Sequence, residues 1–322
     1  MAVFFTERAV SPLKLLVTGG AGFIGSHVVE RCIARGDEVL VVDDLSTGKR
    51  ENIPEKAAFF HLDVADDEIK GVIAREAPEA IIHLAAQVDV QVSLRDPLHD
   101  ARTNILGTLN LLEACRQSGV KRMIVASSAA VYGDPLRLPV DEEHRLAPAN
   151  PYGISKHTPE HYLQLYRELY GITGVALRFA NVYGPRQDAA GEGGVVAIFT
   201  ERLLRGIAPV IYGDGEQTRD FVYVDDVVDA MLLVLEAETE QLRHSVYNVS
   251  TGRGTSVKAL FALIRERVGV DLAAQMAPAR PGDILHSYLD NRRLKDAVGW
   301  TPKTALPQGL DQTVARWSRS WQ

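Results

Sequence analysis

Cysteine is almost missing from this chain: Cys32 and Cys115 are the only two in 322 residues. Both fall inside helical patterns, so they read as small core side chains in a reducing compartment, not as a disulfide framework. No apolar run approaches the roughly 20 residues needed to span a bilayer, which excludes a membrane-embedded chain by this criterion. An excess of basic charge is also lacking. With 35 Lys+Arg against 42 Asp+Glu the net charge is -7, and no Lys/Arg cluster offers a stripe that could follow nucleic-acid phosphates. Internal repeats and low-complexity segments are absent, and no metal site is expected. The first twelve residues show no basic start followed by a long apolar core, so a signal peptide is not expected and the cytoplasm is the predicted location.

What is present is alternation. Short, nearly continuous apolar runs at 13–18, 38–42, 57–61, 80–85, 122–127 and 174–178 predict strands covered by helices on both faces. Helical patterns lie between them at 22–35, 66–76, 97–118 and 152–170. Strand and helix in strict turn predict an α/β fold, a doubly wound parallel Rossmann sheet with right-handed crossovers. After about Asn181 the rhythm loosens into glycine- and proline-punctuated pieces, which predicts a smaller, loop-rich C-terminal lobe. The expected division is 13–180 for the dinucleotide domain, with 219–247 returning to it through the apolar helix 224–235. That leaves 181–218 and 248–322 for the lobe.

Three motifs carry chemistry. Thr18-Gly19-Gly20-Ala21-Gly22-Phe23-Ile24-Gly25 follows the first strand and opens a helix, with glycines spaced G-x-x-G-x-x-G. Glycines let the backbone approach a pyrophosphate, and the helix N-terminus offers free N–H groups. The second strand ends in Asp43-Asp44, followed by Leu45-Ser46-Thr47-Gly48. A carboxylate there holds both ribose hydroxyls of adenosine and repels a 2′-phosphate, so NAD is expected over NADP. Asp63-Val64, ending the third strand, is placed to meet the adenine edge. The expected cofactor contacts from these segments are Gly19, Gly22, Phe23, Ile24, Gly25, Asp43, Asp44, Ser46, Gly48, Asp63 and Val64.

The third motif decides the reaction class. Ser127-Ser128 ends a strand, and Pro151-Tyr152-Gly153-Ile154-Ser155-Lys156 starts a helix. A Tyr and a Lys four apart share one helical face. The ammonium then favours the phenolate of a side chain whose ordinary pKa is about 10, giving a general base for an alcohol that loses hydride.

These segments resemble the extended short-chain dehydrogenase/reductase family, in particular its nucleotide-sugar epimerases of the UDP-glucose 4-epimerase type. Further matches are HLAA at 83–86, SSAAVYG, RFANVYGPRQ at 178–187, RDFVYVDD at 219–226 and RPGD at 280–283, so the resemblance runs from about Leu13 to Trp300. It implies NAD, tightly bound and regenerated in each turnover, and inversion of C4 of a UDP-hexose through a 4-keto sugar. It implies Ser128, Tyr152 and Lys156 as catalytic residues, with Leu84, Ala85, Ala86, Gln87 and Asn104 beside the cofactor. For the substrate it implies Asn181, Arg219 and Arg280 at the nucleotide diphosphate and Asp283 at the ribose. Tyr212 is implied beside the base, with Val195 and Val196 in the same pocket and Ser128 at the sugar. The residue four after Asp283 lines the sugar pocket in the family; here it is Ser287, small enough to admit an N-acetyl group, with Tyr288 expected on the opposite face. A homodimer through the helices near 97–118 and 152–170 is implied as well.

Two departures bear on this reading. Pro159 lies three residues after Lys156, where it removes a backbone donor and is expected to bend the helix. Ala129-Ala130 stand where dehydratases carry an acidic pair, and a decarboxylase is expected to carry a Glu near Ala130, so both alternatives lose ground. A uronate epimerase of the same family remains open. A non-catalytic NAD-binding protein is disfavoured because Ser128, Tyr152 and Lys156 are all present.

Overall fold

The computed structural model describes residues 11–189, 194–280 and 284–320. Six strands of the main sheet are β1 (Lys14–Thr18), β2 (Glu38–Asp43), β3 (Ala58–His61), β4 (Ala80–His83), β5 (Arg122–Ser128) and β6 (Thr173–Phe179). The seventh is Val246–Val249, which pairs with β6 and spans the 247/248 division expected from sequence. All seven are parallel in the order β3-β2-β1-β4-β5-β6-(Val246–Val249). The order reverses between β1 and β4, and a cleft beyond the carboxyl ends of a doubly wound sheet opens at that point.

Alternation along the strands fills both faces. Leu15, Val17, Val39, Val41 and Ile82 join one buried cluster with Val28, Val29 and Cys32 of α1 (Phe23–Arg35). Leu16, Leu40, Val42 and Ile81 join another with Ile69 of α2 (Glu68–Glu76) and Leu111 and Cys115 further along the chain. Burial pushes both cysteine thiols up to about 12, so they remain protonated and inert. Truncating a fully buried Leu111 to Ala costs about 2–5 kcal/mol in such a core.

The helix expected at 97–118 is continuous, but its middle turn widens. After α3 (Val90–Arg95) come α4 (Pro97–Ala101), a π-helical stretch Arg102–Leu106 and α5 (Gly107–Ser118). The wide turn holds Asn104, whose side chain is fixed by tertiary hydrogen bonds described below, and those bonds favour the π register over a regular helix. Next, α6 (Pro151–Tyr170) starts with Asn150 Oδ1 accepting from the Gly153 N–H at 2.9 Å and Pro151 in the first turn. It runs unbroken through the buried Pro159.

The helix Val224–Glu236 packs against α1 and the β5–β6 face. Its Asp226 accepts from the Lys303 and Thr304 N–H groups, tying the later chain to the sheet. Three small sheets build the second region. Asn181–Tyr183 pairs with Phe221–Tyr223, and Val210–Tyr212 with Gln275–Ala277. Thr218–Arg219 lies between Thr255–Ser256 and His286–Ser287, so Arg219 itself belongs to this region and not to the main sheet. Phe199, Phe221, Leu260 and Leu310 are among the residues of its core.

Candidate active site

At the reversal point lies a cleft of about 210 Å³. Its phosphate-facing wall is the glycine turn. Gly19 has φ +69, and a Cβ on Gly25 would sit 2.0 Å from the Gly19 carbonyl oxygen, so the turn and helix interlock only without side chains. The cap of α1 is Gly22, with no side-chain hydrogen bond to the first helical N–H groups. Helix N–H groups left open in this way suit an anion. Asp43, 6% exposed, organises the turn: Oδ2 accepts from the Ala21 N–H at 2.9 Å and Oδ1 from the Leu45 N–H at 2.9 Å. Burial raises its pKa and the two N–H groups oppose the rise. Both oxygens keep lone pairs for a diol.

Among the expected cofactor residues, Gly19, Gly22, Phe23, Ile24, Gly25, Asp43, Asp44, Ser46, Gly48, Asp63, Val64, Leu84, Ala85 and Ala86 all border this cleft. Ser128, Tyr152 and Lys156 border it too. Gln87 lines an adjoining pocket that shares Asp44, Ser46, Ala86 and Val88 with the cleft, and Asn104 lies buried behind it. The Gln87 N–H donates to Asn104 Oδ1 at 2.9 Å, and Asn104 Nδ2 donates to the Gln87 carbonyl at 2.9 Å and to Ser155 Oγ at 2.9 Å. Asn104 is only 3% exposed and Gln87 half-buried, and the pair clamps the loop after β4 beside the cleft. Sequence reading missed Thr47, Leu62, Val88 and Thr103 on the cleft, and Ala126, Phe179, Ala180 and Val182 near the ends of β5 and β6. The carboxyl ends of the same strands were the signal available for the last four.

The reacting corner is set by β5 and α6. The Ser127 hydroxyl is committed below, donating to Glu160 Oε1 at 2.6 Å. Ser128 Oγ accepts from the Ala130 N–H at 3.2 Å and borders the cleft. Tyr152 and Lys156 stand one turn apart on α6. Burial pulls the Lys156 ammonium down to about 8, against the opposing fields of Asp100 and Glu160. Glu160 also accepts from Arg178 Nε at 2.9 Å and Nη2 at 2.6 Å. Burial alone would raise its pKa; Arg178, His157 and Ser127 outweigh that and hold it at about 2.

His83 on β4 completes the support. Thr108 Oγ1 donates to the Asn104 carbonyl at 2.7 Å, so it accepts from His83 Nε2 at 3.0 Å. That leaves Nδ1 to accept from Thr18 Oγ1 at 2.7 Å. Burial, with Lys156 adding to it, holds this imidazole neutral down to about pH 3.

The sequence of this chain matches the NAD dependent epimerase/dehydratase family over residues 15–250. The chain belongs to that family. It is similar to a UDP-glucose 4-epimerase of Mycolicibacterium smegmatis, 44% identical over 94% of this chain and 97% of that one. A crystal structure of Thermotoga maritima UDP-glucose 4-epimerase with UDP-glucose superposes with a TM-score of 0.92 at 47% identity, covering 96% of this chain and 99% of that one. The Thermus thermophilus UDP-glucose 4-epimerase complex with NAD gives 0.88 at 45%, covering 94% and 98%. The chain is thus an NAD-dependent enzyme of this family, and the glycine turn, free helix N-terminus and Asp43 fit that cofactor.

The expected substrate residues form separate groups. Arg219 and Ser287 are register partners in parallel strands, so their side chains share one face. Tyr288 goes to the other: a Cβ on Gly254 would meet its ring at 3.1 Å and Thr218 Oγ1 at 3.1 Å. Arg280 lies over the Tyr212 ring, 3.7 Å from its centroid. Asn181 is exposed, its N–H donating to the Asp220 carbonyl at 2.8 Å. Val196 is 1% exposed in the core of the second region with Phe199, and Val195 packs against that core. In the first turn of the helix Val195–Leu204, Val196 is buried among apolar neighbours and Val195 is half-buried at their edge. Asp283 lies outside the described residues.

Proposed function

We propose that this enzyme inverts C4 of a UDP-linked hexose, interconverting UDP-glucose and UDP-galactose. The observation that carries the proposal is the convergence of Ser128, Tyr152 and Lys156 on the same cleft as the glycine turn and Asp43. In this reading the Gly19–Gly25 turn and α1 hold the pyrophosphate of NAD and Asp43 holds its adenosine ribose. When bound, NAD supplies a hydride acceptor that later returns the hydride. Tyr152 takes the proton from the C4 hydroxyl and gives one back, Ser128 holds that oxygen, and the charge of Lys156 keeps the phenolate accessible. Arg219, Arg280 and Asn181 grip the diphosphate, Tyr212 flanks the base, and Asp283 meets the ribose. Anchoring through the diphosphate leaves the hexose free to turn.

The small Ser287 beside Arg219 favours acceptance of UDP-N-acetylglucosamine as well. Exposed Leu94, Leu98 and Leu106 on one side and Ile154, Leu165 and Leu169 of α6 on the other favour a homodimer that covers them. No helix among the described residues is long and apolar enough to cross a membrane. Together with two buried free thiols, this favours a cytoplasmic enzyme. The test is NMR identification of products from UDP-glucose, UDP-galactose and their N-acetyl and uronate analogues. Conversion of the uronates alone would replace the proposal with a uronate epimerase.

A further inference from the structure

Lys156 is a buried ammonium, 9% exposed. Several titratable groups stand near it. On α6 itself stand Tyr152 and Glu160; β4 brings the neutral His83; β6 brings Arg178, whose charge is taken up by Glu160 at 2.6 Å. The remaining charge comes from α4, whose Asp100 is 1% exposed.

Asp100 is not an ordinary surface carboxylate of a short helix. Its Oδ1 accepts from Gln87 Nε2 at 2.8 Å and from Asn104 Nδ2 at 3.2 Å. Both partners are neutral amides on the one oxygen, the longer bond shared with the other acceptors of Asn104 Nδ2, so neither cancels the carboxylate's charge. The same Asn104 Nδ2 reaches Ser155 Oγ, next to Lys156, and Asn104 Oδ1 receives the Gln87 N–H. Three side chains thus lock the loop after β4 to α6, with an uncancelled negative charge at the centre. Glu160 differs, because its charge is largely spent on Arg178.

We propose that Asp100 is a positioning residue for the reaction: its clamp with Asn104 and Gln87 fixes the loop after β4 against α6, and its buried charge keeps the Lys156 ammonium protonated behind Tyr152. This rests on the reading of Tyr152 and Lys156 as the general-base pair. The direction follows from elementary electrostatics: burial favours the neutral amine, a nearby carboxylate favours the charged form. Of the charges that oppose burial at Lys156, that of Asp100 is the largest.

The test uses the full chain. Lys156 acetylation by acetic anhydride, mapped by mass spectrometry across pH without substrate, reports its protonation directly. The kcat–pH profile is measured in parallel. The natural protein should give a labelling midpoint near 8. Asp100→Asn should move that midpoint and the alkaline limb of kcat down by about one unit, a tenfold loss of the protonated fraction above the midpoint. Asn104→Ala opens the clamp but leaves the carboxylate, so it should lower kcat at every pH without moving the limb. Should Asp100→Asn fail to fold, the isosteric pair Asp100→Glu and Asp100→Gln decides, the first keeping the midpoint above the second. An unmoved midpoint in Asp100→Asn, or equal midpoints in that pair, overturns the proposal. Full activity in Tyr152→Phe would instead remove the general-base reading, while the labelling midpoints still report on Asp100.

Discussion

The sheet end and the second region solve the same problem, gathering distant residues, by different means. At the sheet end, residues at the ends of six parallel strands and on the helices α1 and α6 border a single cleft of about 210 Å³. Parallel strands all deliver their carboxyl ends to one edge, so a motif at a strand end is already near every other such motif. In the second region Arg219 meets Ser287, and Tyr212 meets Arg280, on strands of two or three residues separated by long stretches of chain. Nothing in the local pattern announces those pairings. In the proposed reading the first region carries the chemistry on parallel strand ends, and the second holds the substrate through residues paired across the chain.

The sharpest break between the two comes from Tyr152→Phe. Losing a general base should cost about 10² or more in kcat. Binding of NAD, measured by fluorescence or calorimetry, should stay within about threefold because the glycine turn is untouched. A parallel loss of NAD affinity would mean that the two functions of the sheet end are not separable.

Next in size is a crossed pair. Asp43→Ala should weaken NAD by about 10- to 100-fold, the loss of charge-assisted hydrogen bonds worth about 1.5–3 kcal/mol. Affinity for UDP should hardly change. Arg280→Ala should do the reverse, weakening UDP by a similar factor while NAD binding stays. Titration calorimetry with each ligand on each variant shows whether the two regions act independently. Equal or better NADP binding by the natural protein would refute the ribose role of Asp43.

Smaller still is the change in selectivity expected at Ser287. Ser287→Tyr should depress kcat/KM for UDP-N-acetylglucosamine selectively, by about tenfold, the scale of overfilling a pocket by 1–3 kcal/mol. Equal losses on both sugars would place Ser287 away from the hexose.

The least effect concerns stability. His83 is held neutral to about pH 3 in the fold but takes a proton near its ordinary value of 6.5 when unfolded. Below pH 6.5 the unfolded chain therefore binds more protons. The contribution is present above 6.5 and falls as the pH drops, by at most about 1.4 kcal/mol per unit. Urea unfolding between pH 7 and 5 should show a steeper decline for the natural protein than for His83→Gln.

Much of the sheet end was legible in the sequence because period and punctuation agree there. The strands at 13–18 and 38–42 differ from Lys14–Thr18 and Glu38–Asp43 by one residue at an end. The π-helical widening at 102–106 within the helix over 97–118 was not legible. It depends on Asn104 bonding to Gln87 and Ser155, contacts of separation 17 and 51 that no local window contains. Gln87 and Asn104, expected beside the cofactor, also hold each other. Asp100 and Glu160 each lie four residues from a recognised residue, Asn104 and Lys156, on the same helical face, so helical spacing offered a signal that went unused. Val196, expected at the substrate pocket with Val195, also packs into an apolar core whose other members, Leu260 and Leu310, lie far along the chain.

The measurement closest to the central claim follows a label at the reacting carbon. UDP-galactose carrying deuterium at C4 is incubated with the protein, and the UDP-glucose formed is analysed by mass spectrometry and NMR. Removal and return of hydride at one carbon predicts deuterium retained at C4 with no net reduction of NAD. Loss of the label to solvent, or a product changed at a carbon other than C4, would contradict the assignment of Tyr152, Ser128 and Lys156 to C4 inversion.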